Sequence, residues 1–353
     1  MSADDEPLRI AVISPVWFPV PPTGYGGIEW VVWLLADGLV DAGHDVTLHA
    51  SGDSRTEAKL EAVYPTSQSE HIGNTLPEIR HALHCFERAD EFDVINDHSG
   101  LAACALGGVV DTPFVHTVHG PLDGEGGEIY EQIGRVSPEV GLISISLNQR
   151  RPKPHLNWVA NCPNALDLSR YPFSPERGDY LLFLGRMSPD KGADRAVAIA
   201  HELGLPLKLA GKKREPLEQE YFQSRVEPQL SAEIEYLGEV DHGHKVELLQ
   251  HARATLFPID WEEPFGLVMI ESMACGTPVI ATRRGAVPEV IEDGVSGIVV
   301  DDYREMPAAL PRADELDPKR LRQYVEERFS PPTMVAAYVA AYREARERVR
   351  AAV

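Results

Sequence analysis

Short apolar runs, rich in β-branched residues, alternate along the whole chain with longer segments in which apolar positions recur at helical spacing. This alternation is typical of α/β proteins, in which parallel strands are joined by helices. In the first half of the chain it predicts strands at residues 9–14, 45–50, 93–96, 113–119, 141–145 and 157–161. In the second half it predicts strands at residues 180–184, 206–210, 233–237, 254–258, 278–281 and 297–300.

A proline-rich segment, residues 166–178, interrupts the alternation, which then starts again. Two such blocks predict two Rossmann-like, doubly wound domains, residues 1–170 and 171–330, that face each other across a cleft. In such sheets, ligands bind at the carboxyl ends of the strands. The last segment, residues 331–353, predicts a helix that could dock on either domain, including back on the first.

The chain has 353 residues and is strongly acidic, with 33 Lys and Arg against 55 Asp and Glu and a net charge of −22. Such a surface repels polyphosphate and no basic stripe offsets it, so nucleic acid is not an expected partner. Four cysteines without a C-x-x-C pair indicate neither a disulfide framework nor a zinc site. The chain starts with acidic residues, and no apolar stretch reaches the ~20 residues of a membrane span. We therefore expect a soluble, cytoplasmic protein without stable membrane association, and the sequence carries no information on its oligomeric state.

A glycine-rich loop, Gly24-Tyr-Gly-Gly-Ile-Glu-Trp30, directly follows the first predicted strand and opens a helix. Glycines at such a junction let backbone N–H groups approach a phosphate, with help from the helix dipole. Gly26 and Gly27 are therefore candidates for ligand binding, although they could equally serve only to turn the loop. The loop does not match G-x-G-x-x-G or the P-loop, so neither NAD nor ATP binding is predicted, which argues against a dehydrogenase.

A second loop, Gly185-Arg-Met-Ser-Pro-Asp-Lys-Gly192, lies again between a predicted strand and a predicted helix. Arg186 and Lys191 are expected at the carboxyl edge of the sheet, where Lys191 can reach over the start of the coming helix. Two fixed cations and the N–H groups of that helix suit a diphosphate, because charge-assisted hydrogen bonds are among the strongest. The alternative is an ordinary surface turn whose two cations are solvated.

The most specific motif is Glu263-Pro-Phe-Gly-Leu-Val-Met-Ile-Glu271, in which seven residues separate two glutamates. Glu263 falls in the loop before a predicted helix, residues 266–275, and Glu271 falls one to two turns into that helix. The pair can bracket one small ligand, and carboxylates bind sugar hydroxyls well because each accepts two hydrogen bonds in fixed directions. The alternative is a helix cap and a solvated glutamate, but the helix is largely apolar, so Glu271 has little structural reason to be there.

Taken together, these motifs resemble those of the retaining GT-B glycosyltransferases of family four. The matching features are the N-terminal Gly-Gly loop, G-R-x-x-x-x-K-G at residues 185–192, and E-P-F-G-L-x-x-I-E-x-M-A-C-G-T-P-V-I-A from Glu263 onwards. The next run, from Gly285 to Gly297, also fits the family, with Ala286 where a second glycine is commoner. The proline-rich start of the Gly-Gly loop looks most like the branch that contains antibiotic-tailoring sugar transferases.

The resemblance implies a role for each matching position. Arg186 and Lys191 would bind the diphosphate of a nucleoside diphosphate sugar. Glu263 would hold the hydroxyls of the transferred sugar, Glu271 would hold the ribose, and His119 would lie near the donor sugar. The other donor-binding positions would act through backbone groups, those of 238–240 framing the base: Gly26, Gly27, Gly185, Gly238, Glu239, Val240, Phe265, Gly266 and Leu267.

The sequence departs from the family pattern at two places. Asn164-Ala165 stands where the linker of the family usually has Asn-Gly, a departure that concerns only the geometry of that turn. Gly211-Lys-Lys-Arg214 is more basic than usual, so it could add charge near the phosphates or could be a solvated loop.

No metal site is expected. The histidines form neither H-E-x-x-H nor a Cys/His set, although His116 and His119 share one strand. His98 follows another strand and is expected to be a hydrogen-bonded structural residue, with a place in the cleft as the alternative. No D-x-D motif occurs, so the two cations of the second loop and a helix N-terminus would stabilise the leaving group in place of a divalent ion.

The resemblance implies transfer of a hexosyl group from a UDP- or GDP-sugar to a hydroxyl of a small-molecule or glycan acceptor, with retention at the anomeric carbon and without a cofactor. Catalysis would depend on His119, Arg186, Lys191 and Glu263. The departing phosphate would take the acceptor proton in a front-face attack, while His119 orients the sugar. The alternatives are another GT-B enzyme, such as a sugar-nucleotide epimerase or a glycogen-type phosphorylase, and a non-catalytic nucleotide-sugar binding protein.

Overall fold

The computed structural model describes residues 6–24 and 26–352, so the acidic start of the chain and Tyr25 of the glycine-rich loop lie outside the described residues. The described chain folds into two compact units. One unit comprises the described residues up to Ala165 together with those from Pro331 onwards, and the other comprises Leu166–Ser330.

Every strand predicted in the first half of the chain is present in the first unit, within two residues of its expected bounds. The strands of this unit are β1 (Arg9–Ile13), β2 (Asp45–His49), β3 (Lys59–Glu61), β4 (Val94–Asp97), β5 (Phe114–Val118), β6 (Gly141–Ser144) and β7 (Trp158–Asn161). They form a parallel sheet in the order β3-β2-β1-β4-β5-β6-β7. The pattern does not predict β3, because this three-residue strand is not buried and carries no apolar run.

The second unit contains all the strands predicted for it. These are β8 (Tyr180–Leu184), β9 (Leu207–Ala210), β10 (Ile234–Tyr236), β11 (Ala252–Phe257), β12 (Val279–Thr282) and β13 (Ile298–Val300). They pair in parallel in the order β10-β9-β8-β11-β12-β13. In both sheets the first strand of the unit is central and the order reverses beside it, as in dinucleotide-binding Rossmann folds. The prediction of an α/β chain with two Rossmann-like sheets is therefore confirmed.

Helices connect the strands in both units. They are α1 (Gly27–Asp41), α2 (Thr75–Phe86), α3 (Leu101–Leu106), α4 (Glu125–Val136), α5 (Ala193–Leu203), α6 (Pro216–Tyr221), α7 (His242–Gln250), α8 (Leu267–Cys275), α9 (Val287–Val290), α10 (Met306–Asp314), α11 (Pro318–Arg328) and α12 (Pro331–Ala352). Among the described residues, none of these helices combines the length and the apolar character that crossing a bilayer requires.

The C-terminal helix α12 belongs to the core of the first unit. Its buried residues Met334, Tyr338, Ala341 and Ala345 share one apolar cluster with the buried face of α1. The two helices are so close that a Cβ added to Gly38 of α1 would lie 2.7 Å from a methyl group of Val335. The last helix of the chain thus packs in the same core as the first strands and the first helix.

Each sheet has a switch point, the gap between two neighbouring strands at which the strand order reverses: between β1 and β4 in the first unit and between β8 and β11 in the second. In the second unit, the loops that follow β8 and β11 leave the sheet in the gap where the strand order reverses, and they carry Lys191 and Glu263. In the first unit, the corresponding positions are the glycine-rich loop after β1 and the end of β4, which is followed by His98. Ligands of open α/β sheets bind at such gaps, because the two loops diverge there.

Candidate functional site

Lys191 and Glu263 form an ion pair at the switch point of the second unit. The Lys191 Nζ lies 2.5 Å from Glu263 Oε2. Trp261 supports both partners, since its Nε1 donates to the same Oε2 over 3.2 Å and its ring lies 4.4 Å below the ammonium. Both side chains of the ion pair are largely buried, so the pair is only weakly screened by solvent.

Two glycines fix the loops that carry this ion pair. Gly192 has φ 79°, and a Cβ on it would lie 2.5 Å from the carbonyl oxygen of Pro258, so the backbones of the loops after β8 and β11 approach each other directly at this point. Gly285 has φ 55°, and a Cβ on it would lie 2.2 Å from the backbone nitrogen of Glu263. The next residue, Ala286, donates its N–H to the Glu263 carbonyl over 2.8 Å. The position of Glu263 thus depends on a glycine more than twenty residues further along the chain.

Glu271 is held in a second, similar arrangement. The hydroxyl of Tyr171 donates to Glu271 Oε1 over 2.6 Å, and the Lys245 ammonium lies 2.6 Å from the same oxygen. Burial raises the pKa of Glu271, but the charge and hydrogen bond of Lys245 and the hydrogen bond of Tyr171 outweigh it and hold the pKa below its usual value. The carboxylate is therefore ionised at neutral pH although it lies in an apolar helix.

The two glutamates of the E-x7-E motif have the same pattern of hydrogen bonds. In each, one carboxylate oxygen binds an ammonium and an aromatic N–H or O–H donor. The other oxygen of each, Oε1 of Glu263 and Oε2 of Glu271, has no hydrogen-bond partner among the described residues. Each glutamate therefore keeps one rigidly oriented acceptor that can bind a hydroxyl group.

The start of α8, between the two glutamates, suits an anion. Gly266 is its N-cap, in a left-handed conformation, and no side chain caps the helix. Within the described part of the chain, the N–H groups of Phe265, Gly266 and Leu267 have no acceptor. Unpaired N–H groups at a helix start, together with the helix dipole, favour bound phosphate.

The helix after Lys191 offers fewer unpaired N–H groups than the sequence predicts. At the start of α5, the N–H of Asp194 donates to the Tyr221 hydroxyl over 3.0 Å, and the N–H of Arg195 donates to the Asp194 carboxylate over 2.9 Å. These local bonds satisfy two of the donors that a phosphate could use, whereas the N–H of Ala193 has no acceptor among the described residues. Of the two helix starts, that of α8 therefore keeps more N–H groups unpaired than that of α5.

Arg186 contacts acidic residues rather than the Lys191–Glu263 pair. Its guanidinium lies 3.2 Å from Asp190 and 3.6 Å from Glu218, and about a third of its side chain is exposed. Gly185, which precedes it, donates its N–H to the carbonyl of Ala210 and so ties the loop to β9. Arg186 is held by these carboxylates at the carboxyl edge of the sheet, with part of its surface still accessible.

The segment predicted to frame a base lies after β10. Gly238 accepts a hydrogen bond from the N–H of Gly211 through its carbonyl, and Glu239 forms an ion pair of 2.6 Å with Arg214. The neighbouring Val240 continues the turn into α7. In the basic segment, the Lys213 ammonium lies 3.6 Å from the centre of the Phe222 ring. Lys213 and Arg214 are thus engaged in local contacts, and neither is simply a solvated charge.

In the first unit, His119 directly follows β5 and is half-buried. Its Nε2 lies 2.9 Å from Nδ1 of His98, whose ring is buried. Burial and the neighbouring His116 lower the pKa of His119 to about 3, so the ring is neutral at physiological pH. His116 belongs to a separate buried group, in which it lies 2.5 Å from Asp97 and 2.8 Å from the Tyr130 hydroxyl.

The glycine-rich loop of the first unit leads into α1. Gly26 is the N-cap of α1, with φ 148°, and Gly27 is the first residue of the helix. Two residues further on, burial raises the pKa of Glu29 to about 7. The loop therefore places two glycines and a partly protonated carboxyl group at the switch point of the first sheet.

The sequence did not indicate several residues that shape these sites. Trp261, Lys245 and Tyr171 orient the two glutamates, and Asn96 contacts the ring of His98. No motif marks them, because each reaches its partner across a different element of the fold. Among the described residues, no group of three or more His, Cys, Asp or Glu side chains could hold a metal ion.

Two family models match the chain, one for each half. Residues 25–162 match the model described as Glycosyltransferase Family 4, and residues 168–326 match the model described as Glycosyl transferases group 1. Together they leave uncovered only the two ends of the chain and a short junction.

Individual relatives cover most of the chain. The glycogen synthase of Mycobacterium tuberculosis is 28% identical over 348 residues, which span 82% of each chain. The phosphatidyl-myo-inositol mannosyltransferase of Mycolicibacterium smegmatis is 27% identical, over 86% of this chain and 84% of its own length. Among solved structures, AviGT4, a glycosyltransferase involved in avilamycin A biosynthesis, has a TM-score of 0.73 and 28% identity, and the alignment covers 97% of this chain and 98% of that one.

Proposed function

The chain carries the domains of the family 4 and group 1 glycosyltransferases and is a hexosyltransferase, and from this premise we propose the reaction that it catalyses. The enzyme transfers a hexosyl group from a nucleoside diphosphate sugar to a hydroxyl of a small-molecule or glycan acceptor in the cytosol. The anomeric configuration is retained, and no metal ion takes part. The nucleotide is UDP or GDP.

The single observation that carries this proposal is the hydrogen-bonding pattern that the two glutamates share. Glu263 and Glu271 each present one carboxylate oxygen without a hydrogen-bond partner among the described residues, while a lysine and an aromatic donor hold the other oxygen. Hydroxyl groups are the partners that such oxygens prefer, and a nucleoside diphosphate sugar has them at both ends, on the sugar and on the ribose. The uncapped start of α8 lies between the two glutamates, where the diphosphate would bind.

The leaving group of this reaction is a nucleoside diphosphate, whose negative charge grows as the sugar bond breaks. Lys191 still has two ammonium hydrogens beyond the one that it shares with Glu263, and the α8 N–H groups are unpaired. Fixed donors of this kind stabilise a developing charge without reorganisation. These groups can replace a divalent ion, which supports transfer without a metal and with the leaving phosphate as acceptor of the proton.

The similarity to AviGT4 supports a place in the antibiotic-tailoring branch, because it extends over nearly the whole of both chains. We therefore expect a small, hydroxyl-bearing acceptor. Backbone groups after β10, at Gly238, Glu239 and Val240, would contact the base.

The first test is thermal unfolding with UDP, GDP, UDP-glucose and GDP-mannose as probes. A ligand at ~100 times its dissociation constant stabilises the native state by about 2.7 kcal/mol, which shifts the melting temperature measurably. Lys191→Ala should lose the stabilisation by every probe, whereas Glu263→Ala should keep that by UDP or GDP and lose the increment from the sugar. Lys319→Ala, which removes an exposed lysine of the same unit, is the matched control and should respond like the wild type.

The second test follows a donor labelled in its sugar in the presence of candidate acceptors and a chelator. We expect a glycoside with the anomeric configuration of the donor and no dependence on divalent ions. A labelled epimer of the donor without transfer would instead identify an epimerase, and nucleotide-sugar binding without any turnover would identify a binding protein. Either outcome, or full activity of Lys191→Ala, would contradict the proposal.

A further inference from the structure

A chain of hydrogen bonds inside the first unit ends at His119. It starts at Asn96 on β4, whose amide makes four contacts. The amide nitrogen donates to the Val115 carbonyl over 3.4 Å and to the Thr117 hydroxyl over 3.1 Å. The amide oxygen accepts from the Tyr342 hydroxyl of α12 over 2.7 Å and lies 2.9 Å from Nε2 of His98. His98 then contacts His119 through its other ring nitrogen.

This arrangement determines which ring nitrogen of each histidine carries a proton. The Val115 carbonyl can only accept, so it fixes the orientation of the Asn96 amide. The amide oxygen can only accept as well, so Nε2 of His98 must carry the proton that points at it. A neutral imidazole has one N–H, and Nδ1 of His98 is therefore an acceptor, which requires His119 to donate through Nε2.

Both rings are neutral, as this assignment requires. Burial lowers the pKa of His98 and of His119, and a neighbouring ring lowers each of them further, His119 in the case of His98 and His116 in the case of His119. Neither ring has a carboxylate as a hydrogen-bond partner among the described residues. With Nε2 protonated and engaged, His119 is left with an unprotonated Nδ1, which has no partner in the described part of the chain.

We propose that Asn96, His98 and Tyr342 are positioning residues that hold His119 in the tautomer whose Nδ1 accepts a hydrogen bond from a hydroxyl of the donor sugar. The inference rests on the proposed function for its substrate but on this unit's own geometry for the tautomer. It gives α12 a role beyond packing, because the helix supplies Tyr342. It also assigns a specificity: the site requires a hydroxyl that donates, and it rejects a fluorine or a bare oxygen at that position.

The tautomer is measured directly in the protein without substrate. In ¹⁵N-histidine-labelled wild type, ring nitrogens with and without a proton have distinct chemical shifts, and His98→Phe and His119→Asn assign the signals. We expect both rings neutral and protonated at Nε2 between pH 6 and pH 8. A His119 ring protonated at Nδ1, or charged in this range, would overturn the proposal whatever the enzyme's activity.

The chain of hydrogen bonds from Tyr342 to His119, here called the relay, is tested with a matched pair of tyrosines on α12. Tyr342→Phe removes the hydroxyl that binds Asn96, whereas Tyr338→Phe removes a hydroxyl one turn earlier whose partner among the described residues is Thr117, at 3.4 Å, and not Asn96 or a histidine. We expect Tyr342→Phe and His98→Phe to lower kcat/KM about ten- to hundredfold, the range seen when the groups that orient metal-binding histidines are removed. Tyr338→Phe should stay within twofold of the wild type. Equal losses in the two tyrosine variants would indicate packing alone and refute the relay.

Donor analogues complete the test. Replacing one sugar hydroxyl by hydrogen or by fluorine should lower wild-type kcat/KM by similar factors at the position that His119 contacts, because fluorine cannot donate. In His98→Phe the penalty at this position should shrink, since the His119 ring is free to change tautomer. If fluorine is tolerated where hydrogen is not, His119 donates and the inference fails. If the tautomer is as expected but no nucleotide sugar is bound or turned over, the proposed function fails instead.

Discussion

Glu271 shows how a single buried charge depends on neighbours that are remote in sequence. Its helix is apolar, and burial alone would favour the protonated acid. Lys245 from α7 and Tyr171 from the start of the second unit reverse this preference, because both act on one carboxylate oxygen. Glu271 belongs to the sequence motif, but its ionised state depends on Lys245 and Tyr171, which lie outside the motif.

Replacing Lys245 by Met tests this dependence. The variant leaves a buried carboxylate without its cation, and breaking a buried pair in this way costs about 3–5 kcal/mol. We expect a clear loss of stability in urea unfolding at pH 8, and weaker stabilisation by UDP. The double variant Lys245→Met/Glu271→Gln should regain most of the stability but not the UDP response, because a neutral amide needs no counterion. A double variant as unstable as the single one would contradict the pairing.

At the scale of loops and strands, the second unit positions Glu263 through backbone contacts. Gly285, which follows β12, packs directly on the backbone of Glu263, and Ala286 binds its carbonyl. The loops after β8, β11 and β12 therefore pack against one another, although each follows a different strand. This explains why glycines accompany the charged residues of the motif: close backbone approach requires that no Cβ intervenes.

Gly285→Ala tests this packing, with Gly294→Ala as a matched control. Both glycines have positive φ, 55° and 77°, but a Cβ at 294 meets nothing within 4 Å, whereas at 285 it meets the Glu263 backbone at 2.2 Å. Each substitution carries the left-handed strain of about 1–2 kcal/mol. Only Gly285→Ala should also displace Glu263 and lower kcat/KM by two orders of magnitude or more. Similar activity in the two variants would show that the loop tolerates the displacement.

Across the whole molecule, the buried neutral histidines with strongly lowered pKa values lie in the first unit. Burial lowers the pKa of His49 to about 3 and that of His81 to about 4, and both ring nitrogens of His49 lack a partner. In the unfolded chain these side chains take up a proton near pH 6.5. Their contribution to stability is therefore complete above pH 6.5 and is lost as the pH falls below it.

We expect the first unit to lose stability on mild acidification before the second. His49 alone should lower the free energy of unfolding by about 2 kcal/mol between pH 8 and pH 5, since only the unfolded chain is protonated there. Hydrogen exchange read separately for peptides of the two units measures this difference. His49→Phe, whose ring can keep the contact with Phe92, should flatten the pH dependence of the first unit. An unchanged slope in that variant would assign the acid sensitivity to other groups.

Much of the fold could be predicted from periodicity, because a parallel strand buried on both faces needs a continuous apolar run. The strand β3 was missed since an exposed edge strand has no such run. The hydrogen bonds at the α5 start could not be predicted for another reason: the N–H groups of a helix end bind any nearby acceptor, and here two of them bind the Tyr221 hydroxyl and the Asp194 carboxylate, which no local pattern reveals. The docking of α12 was left open, because an apolar stripe does not identify the surface that covers it.

The sequence by itself determined the two parallel sheets, the loops at their carboxyl edges and the residue types available for binding, since these follow from spacing and from the chemistry of each side chain. Only the tertiary structure decided the state of those residues. The oxygen that each glutamate keeps free, the helix end that keeps its N–H groups and the ring nitrogen of His119 that carries the proton all depend on partners brought together from distant segments. Protonation and hydrogen bonding respond to distances in space, and positions along the chain do not encode these distances.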